Sequence, residues 1–113
     1  GGLYTTVGDM LKFGNAVLNH QLVSKETLDL MIQHHSLEKE NNGYGFGWFL
    51  YGQKPNEGAV IGHTGAQRGC SSFLLIVPKK KVVAIVLANT SRVEVGPTIN
   101  NLLGLALEKS VRD

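Results

Sequence analysis

The apolar positions of the chain change their period along its length. Met10, Leu11, Phe13, Ala16, Val17 and Leu18 recur at helical spacing. Thr6 precedes Val7-Gly8-Asp9 in the manner of a capping box, with Asp in place of the usual Glu or Gln. This predicts a helix over about residues 7–19, broken near Asn19-His20. Ser24 reads as a second N-cap, and Leu28, Met31 and Ile32 share one face of a short helix over about 25–34. The polar run HSLEKENNG, residues 35–43, predicts a loop.

From there the pattern turns strand-like. YGFGWFLY, residues 44–51, is aromatic-rich and roughly alternating; its glycines predict a bulge or a close backbone approach. GQKPNEG predicts a turn, residues 58–64 a strand that runs into His63-Thr64-Gly65, and AQRG a short connector. Cys70–Val77 and Val82–Ala88 read as strands around PKKK, an antiparallel hairpin. Pro97 stands where a helix would start, and Ile99, Leu102, Leu103, Ala106 and Leu107 give it an apolar face; its span is about 97–111. The order helix, helix, strands, helix predicts an α+β fold with a mainly antiparallel sheet and flanking helices.

VVAIVLA, residues 82–88, does not alternate, so both faces of that strand should be covered. The last helix can cover one face. The other needs the first helices or chain outside these residues. Left at an open sheet edge, such a strand invites pairing with another chain.

Composition narrows the function classes. A length of 113 residues makes one domain, and a net charge of +2 gives no nucleic-acid surface. The dense basic run Lys79-Lys80-Lys81 fits a solvated hairpin turn. A single cysteine, Cys70, rules out an internal disulfide, and its strand position predicts a packed, unreactive thiol. No apolar run reaches the ~20 residues of a membrane span, so no transmembrane segment is expected. No leader pattern opens the chain; GGLYTT drops straight into structured sequence and reads as the start of a fragment. His34 and His35 are adjacent and His20 stands alone, which is not zinc-ligand spacing. No metal or other cofactor is expected. Trp48 and the tyrosines read as core or rim aromatics.

GGLYTTVGDMLKFGNAVL, then YGFGW, then HTGAQRGCSSFLLIVPKKKVVAIVLAN occur in that order. The series resembles the C-terminal part of the serine β-lactamase and penicillin-binding-protein-like family. That family includes class C β-lactamases, D-alanyl-D-alanine carboxypeptidases, β-lactamase-like esterases and a mitochondrial serine β-lactamase-like protein. The resemblance spans nearly all of the chain. It implies the C-terminal portion of a β-lactamase/transpeptidase-like fold, completed by an N-terminal part of the same domain. Bacterial envelope and mitochondrion both fit the family.

Members use an S-x-x-K nucleophile motif, a Tyr-centred motif and a K/H-T/S-G triplet on a strand beside the active site. His63-Thr64-Gly65 matches the third. By that match His63 supplies polar or positive character, Thr64 hydrogen-bonds the substrate, and Gly65 leaves room for it. The backbone N–H of Ala66 is then one of two oxyanion donors. An undisturbed imidazole titrates at ~6.5 and is mostly neutral at pH 7, where members with lysine hold a permanent charge. This tilts the expectation toward peptidase or esterase chemistry.

Ser36-Leu37-Glu38-Lys39 fits S-x-x-K literally but falls in a polar loop, where no helix can set Ser and Lys one turn apart. Ser71-Ser72 reads as strand packing. The nucleophile and the Tyr motif are therefore expected upstream, and the chain by itself is expected to be inert. The reading is a C-terminal fragment of a serine hydrolase acting on a peptide, ester or β-lactam. The alternative is a non-catalytic module of the same fold, binding a peptide by strand addition or forming a homo-oligomer through an exposed strand.

Overall fold

The computed structural model describes residues 1–33, 36–37, 43–54, 56–91 and 93–112. Helix α1 spans Val7–Leu18 and α2 spans Lys25–Met31. Each starts on a side-chain cap: Thr6 Oγ1 accepts from the Asp9 amide at 3.1 Å, and Ser24 Oγ from the Thr27 amide at 3.1 Å. Six strands follow: β1 Ser36–Leu37, β2 Gly43–Tyr44, β3 Phe49–Lys54, β4 Gly58–Gln67, β5 Cys70–Val77 and β6 Val82–Ala88. They form one sheet in chain order, every neighbouring pair antiparallel. Helix α3, Val95–Arg112, closes the described chain. The fold is α+β with an antiparallel sheet and flanking helices.

The sheet is covered on both faces. Toward α1 and α2, Val17, Leu28, Trp48, Leu50, Ile61, Leu74 and Ile76 form one buried cluster. Toward α3, Val60, Leu75, Val77, Ala84, Ile99, Leu103 and Leu107 form the other. The unbroken apolar run of β6 follows from this. Val83 and Ile85 pack toward the first cluster, Val82 and Val86 toward the second. Gly14 lets α1 come close, since a Cβ there would lie 2.7 Å from Val83 Cγ1. Ile61, Ile76 and Ile99 are wholly buried; each stabilises the fold by ~1.5–3 kcal/mol relative to exposure.

Several local expectations give way. The expected single strand over 44–51 is a tight hairpin: β2 ends at Tyr44, the Gly45 amide donates to the Trp48 carbonyl at 2.8 Å, and β3 starts at Phe49. Gly47, at φ +81°, makes the turn, and a Cβ on Gly45 would collide with the Met31 carbonyl oxygen. Ser36 and Leu37, expected in a loop, pair with β2; His34, His35, Glu38 and Lys39 lie outside the described residues. The predicted turn at 52–58 begins later, because β3 runs on to Lys54 past a register shift between Leu50 and Gln53. Ala66 and Gln67 belong to β4 rather than to a connector. Pro97 is the third residue of α3, where its missing N–H costs no helical bond.

Candidate active site

Residues 63–66 sit where the sheet loses a strand. The last pair between β3 and β4 is Phe49 with Gly62. Beyond it, among the described residues, β4 pairs with β5 alone: His63↔Leu74, Thr64↔Phe73, Gly65↔Ser72, Ala66↔Ser71 and Gln67↔Cys70. Gln67 and Cys70 close a two-residue turn at Arg68-Gly69, with Gly69 at φ +84°.

The ladder's alternation fixes which way the main chain points. The pair closing a two-residue hairpin exchanges both hydrogen bonds, and every second pair along the strand does the same. Gln67, Gly65 and His63 therefore turn their backbone groups to β5. Thr64 and Ala66 turn theirs to the open margin. The Thr64 carbonyl agrees with this parity, lying 2.5 Å from His63 Nδ1.

His63, Thr64 and Ala66 are exposed, and Gly65 is half-buried. Gly62, just before them, admits no side chain, since a Cβ would strike the Leu74 carbonyl oxygen. A Cβ on Gly65 would lie 2.6 Å from Ser72 Oγ, so the strand is flush against β5 there. His63 and Thr64 border a groove of about 310 Å³ whose walls include Met10, Phe13, Trp48 and Leu87. Phe13 stacks on buried Trp48 at 6.4 Å between ring centres. The groove is thus apolar along α1 and polar at its β4 rim.

Tyr44 joins the triplet from β2. Its hydroxyl lies 3.1 Å from His63 Nε2, and its ring meets Phe49 edge-on at 4.8 Å. Phe49 also packs on the His63 ring at 4.7 Å. The sequence pattern alone reads Tyr44 as a core or rim aromatic. The available signal was the Gly-x-Gly that follows it, which turns the chain back and brings Tyr44 beside β4.

The family model for Beta-lactamase matches residues 1–108. The chain belongs to the Beta-lactamase family. No individual curated protein matches it. As a Beta-lactamase family chain it has a hydrolase-like fold in general, and the resemblance drawn from the sequence blocks holds. Ser36, the literal S-x-x-K serine, pairs with Tyr44 in a strand instead of opening a helix. Ser72 lines the groove and approaches the Gly65 carbonyl at 3.4 Å. Cys70 departs from expectation: it is exposed, at the end of β5 beside the Arg68-Gly69 turn. No group of His, Cys, Asp and Glu among the described residues could hold a metal. No helix among them is long and apolar enough to cross a membrane.

Proposed function

We propose that this chain supplies one wall of the active site of a serine hydrolase, which acylates a serine with a peptide, ester or β-lactam carbonyl and then hydrolyses the acyl-enzyme. The observation that carries the reading is the open margin of β4. There the Ala66 N–H faces outward next to His63 and Thr64, at the mouth of an apolar groove. In this role Ala66 donates its amide proton to the developing oxyanion, a contribution of about 2.7–4 kcal/mol to the transition state. Thr64 hydrogen-bonds the substrate, Gly65 leaves space for it, and His63 organises the polar rim. The nucleophile and its Lys and Tyr partners come from an N-terminal part of the same domain.

The test is active-site labelling. A fluorophosphonate probe should leave residues 1–113 unlabelled and should mark the serine of an upstream S-x-x-K in the longer polypeptide. Labelling of any serine within these 113 residues would overturn the division of labour.

A second reading is a non-catalytic module. It draws support from strand β6, which pairs only with β5 among the described strands and leaves one edge of Val82–Ala88 free for a second copy. Light scattering separates the two. A monomer at high concentration removes the self-association reading.

A further inference from the structure

We infer that Tyr44 is the positioning residue of the triplet: its hydroxyl holds His63 as the Nδ1–H tautomer, with the ring locked onto the Thr64 carbonyl. The inference about catalysis rests on the hydrolase reading above; the inference about the ring does not.

The argument begins with an atom that has no choice of role. The Thr64 carbonyl oxygen can only accept, so His63 Nδ1, 2.5 Å away, must carry a proton. In a neutral imidazole Nε2 is then bare and can only accept. The group that faces it at 3.1 Å is the Tyr44 hydroxyl, which donates. The chain of donation runs Tyr44 O–H to Nε2, then Nδ1–H to Thr64 O. It selects the tautomer that free histidine side chains in water favour less.

The fold invests in this placement. Tyr44 has no freedom to drift, because β2 is pinned at its end by the Gly45 amide on the Trp48 carbonyl and by the Phe46 amide on the Met31 carbonyl, both at 2.8 Å. Phe49 lies against both the Tyr44 and the His63 rings. The last turn of α2 thus sets the hairpin, the hairpin sets the hydroxyl, and the hydroxyl sets the imidazole.

The lock changes what the margin can offer. His63 already donates to the Thr64 carbonyl, so a pairing peptide would have to share that oxygen with the imidazole. Of the outward-facing main-chain groups at 64 and 66, His63 engages the Thr64 carbonyl, and the Ala66 N–H faces the margin. The rim then presents the Ala66 donor to a carbonyl oxygen, beside an acceptor that the imidazole already engages.

Imidazole ¹⁵N spectroscopy of the full chain tests this, with the His63 signals identified by their loss in His63→Gln. Wild type should show a protonated Nδ1 and an unprotonated, hydrogen-bonded Nε2. Tyr44→Phe should abolish the hydrogen-bond shift at Nε2 and let the minority Nε2–H tautomer grow, while Trp48 fluorescence stays native. A wild-type ring already protonated at Nε2 overturns the inference, even if Tyr44→Phe does not fold. So does an Nε2 signal that Tyr44→Phe leaves unchanged.

In the longer polypeptide, Tyr44→Phe should lower kcat about five- to tenfold, the loss of one hydrogen bond, with KM nearly constant. In a His63→Asn background, which keeps a donor to Thr64 and lacks Nε2, Tyr44→Phe should add nothing. An additive loss overturns the positioning role. Failure of serine labelling would remove the hydrolase reading and leave the tautomer result standing.

Discussion

Phe49 and Gly62 form the last rung between β3 and β4, and the four residues with candidate chemistry, 63–66, begin at the very next position. The site is thus made by one strand outlasting its neighbour. Gly62 also lets β4 lie close against β5 at this point, since any Cβ would drive into the Leu74 carbonyl. Gly62→Ala should destabilise the protein by roughly 2–4 kcal/mol, toward the upper end of what single substitutions cost. A fall in the urea midpoint with an unchanged slope would show it; an unchanged midpoint would mean that the strands can part freely there.

If Ala66 acts through its amide as proposed, its side chain should be replaceable and its nitrogen should not. In the longer polypeptide Ala66→Ser should keep near-normal kcat. Ala66→Pro, which removes the donor, should cost about 10²–10³ in kcat. Equal losses in both variants would contradict a main-chain role.

Tyr51 supplies the pH dependence. It is half-buried beside Phe73 on the α3 face, and burial raises its phenol above the ordinary value of 10.0. The unfolded chain then loses its phenolic proton before the folded one. Stability from this group is complete below pH 10 and declines as pH rises through the folded value. Denaturant melts from pH 9 upward should show that decline, and Tyr51→Phe should flatten it.

The caps give a smaller, cleaner effect. Thr6→Ala removes the acceptor for the Asp9 amide and should cost about 1 kcal/mol. Thr6→Asn should recover most of it. Thermal melts of the three proteins decide the matter.

Cys70 should react at once with a thiol reagent in the native state, since the hairpin corner holds it in solvent. Cys70→Ser should shift stability by no more than about 0.5 kcal/mol, as for other exposed positions. Slow labelling that tracks unfolding would place the thiol in the interior instead.

Much of this was legible in the chain. The helix caps Thr6 and Ser24, the β5–β6 hairpin and the two-sided burial of β6 follow from spacing and apolar runs, because these depend on neighbours in sequence. The misread places depend on neighbours in space. Gly45 could be taken for a bulge until the Met31 carbonyl is seen beneath it. Cys70 looks buried from its strand pattern, since nothing local shows that this end of β5 stands in solvent. For the site, His63, Thr64 and Gly65 stood out as a motif. Tyr44 did not, because its partner lies across two strands.

The sheet takes its strands in the order in which they are joined, so it can register itself one hairpin at a time, with only short loops to close. The packing of α1 on β6, through Gly14 and Val83, is different in kind: it clasps the beginning of the described chain to its last strand. Loosening that clasp would bare an apolar strip of β6 while the hairpins stay zipped. Opening of this kind should appear in amide exchange as early loss of protection in α1, well ahead of β4 and β5.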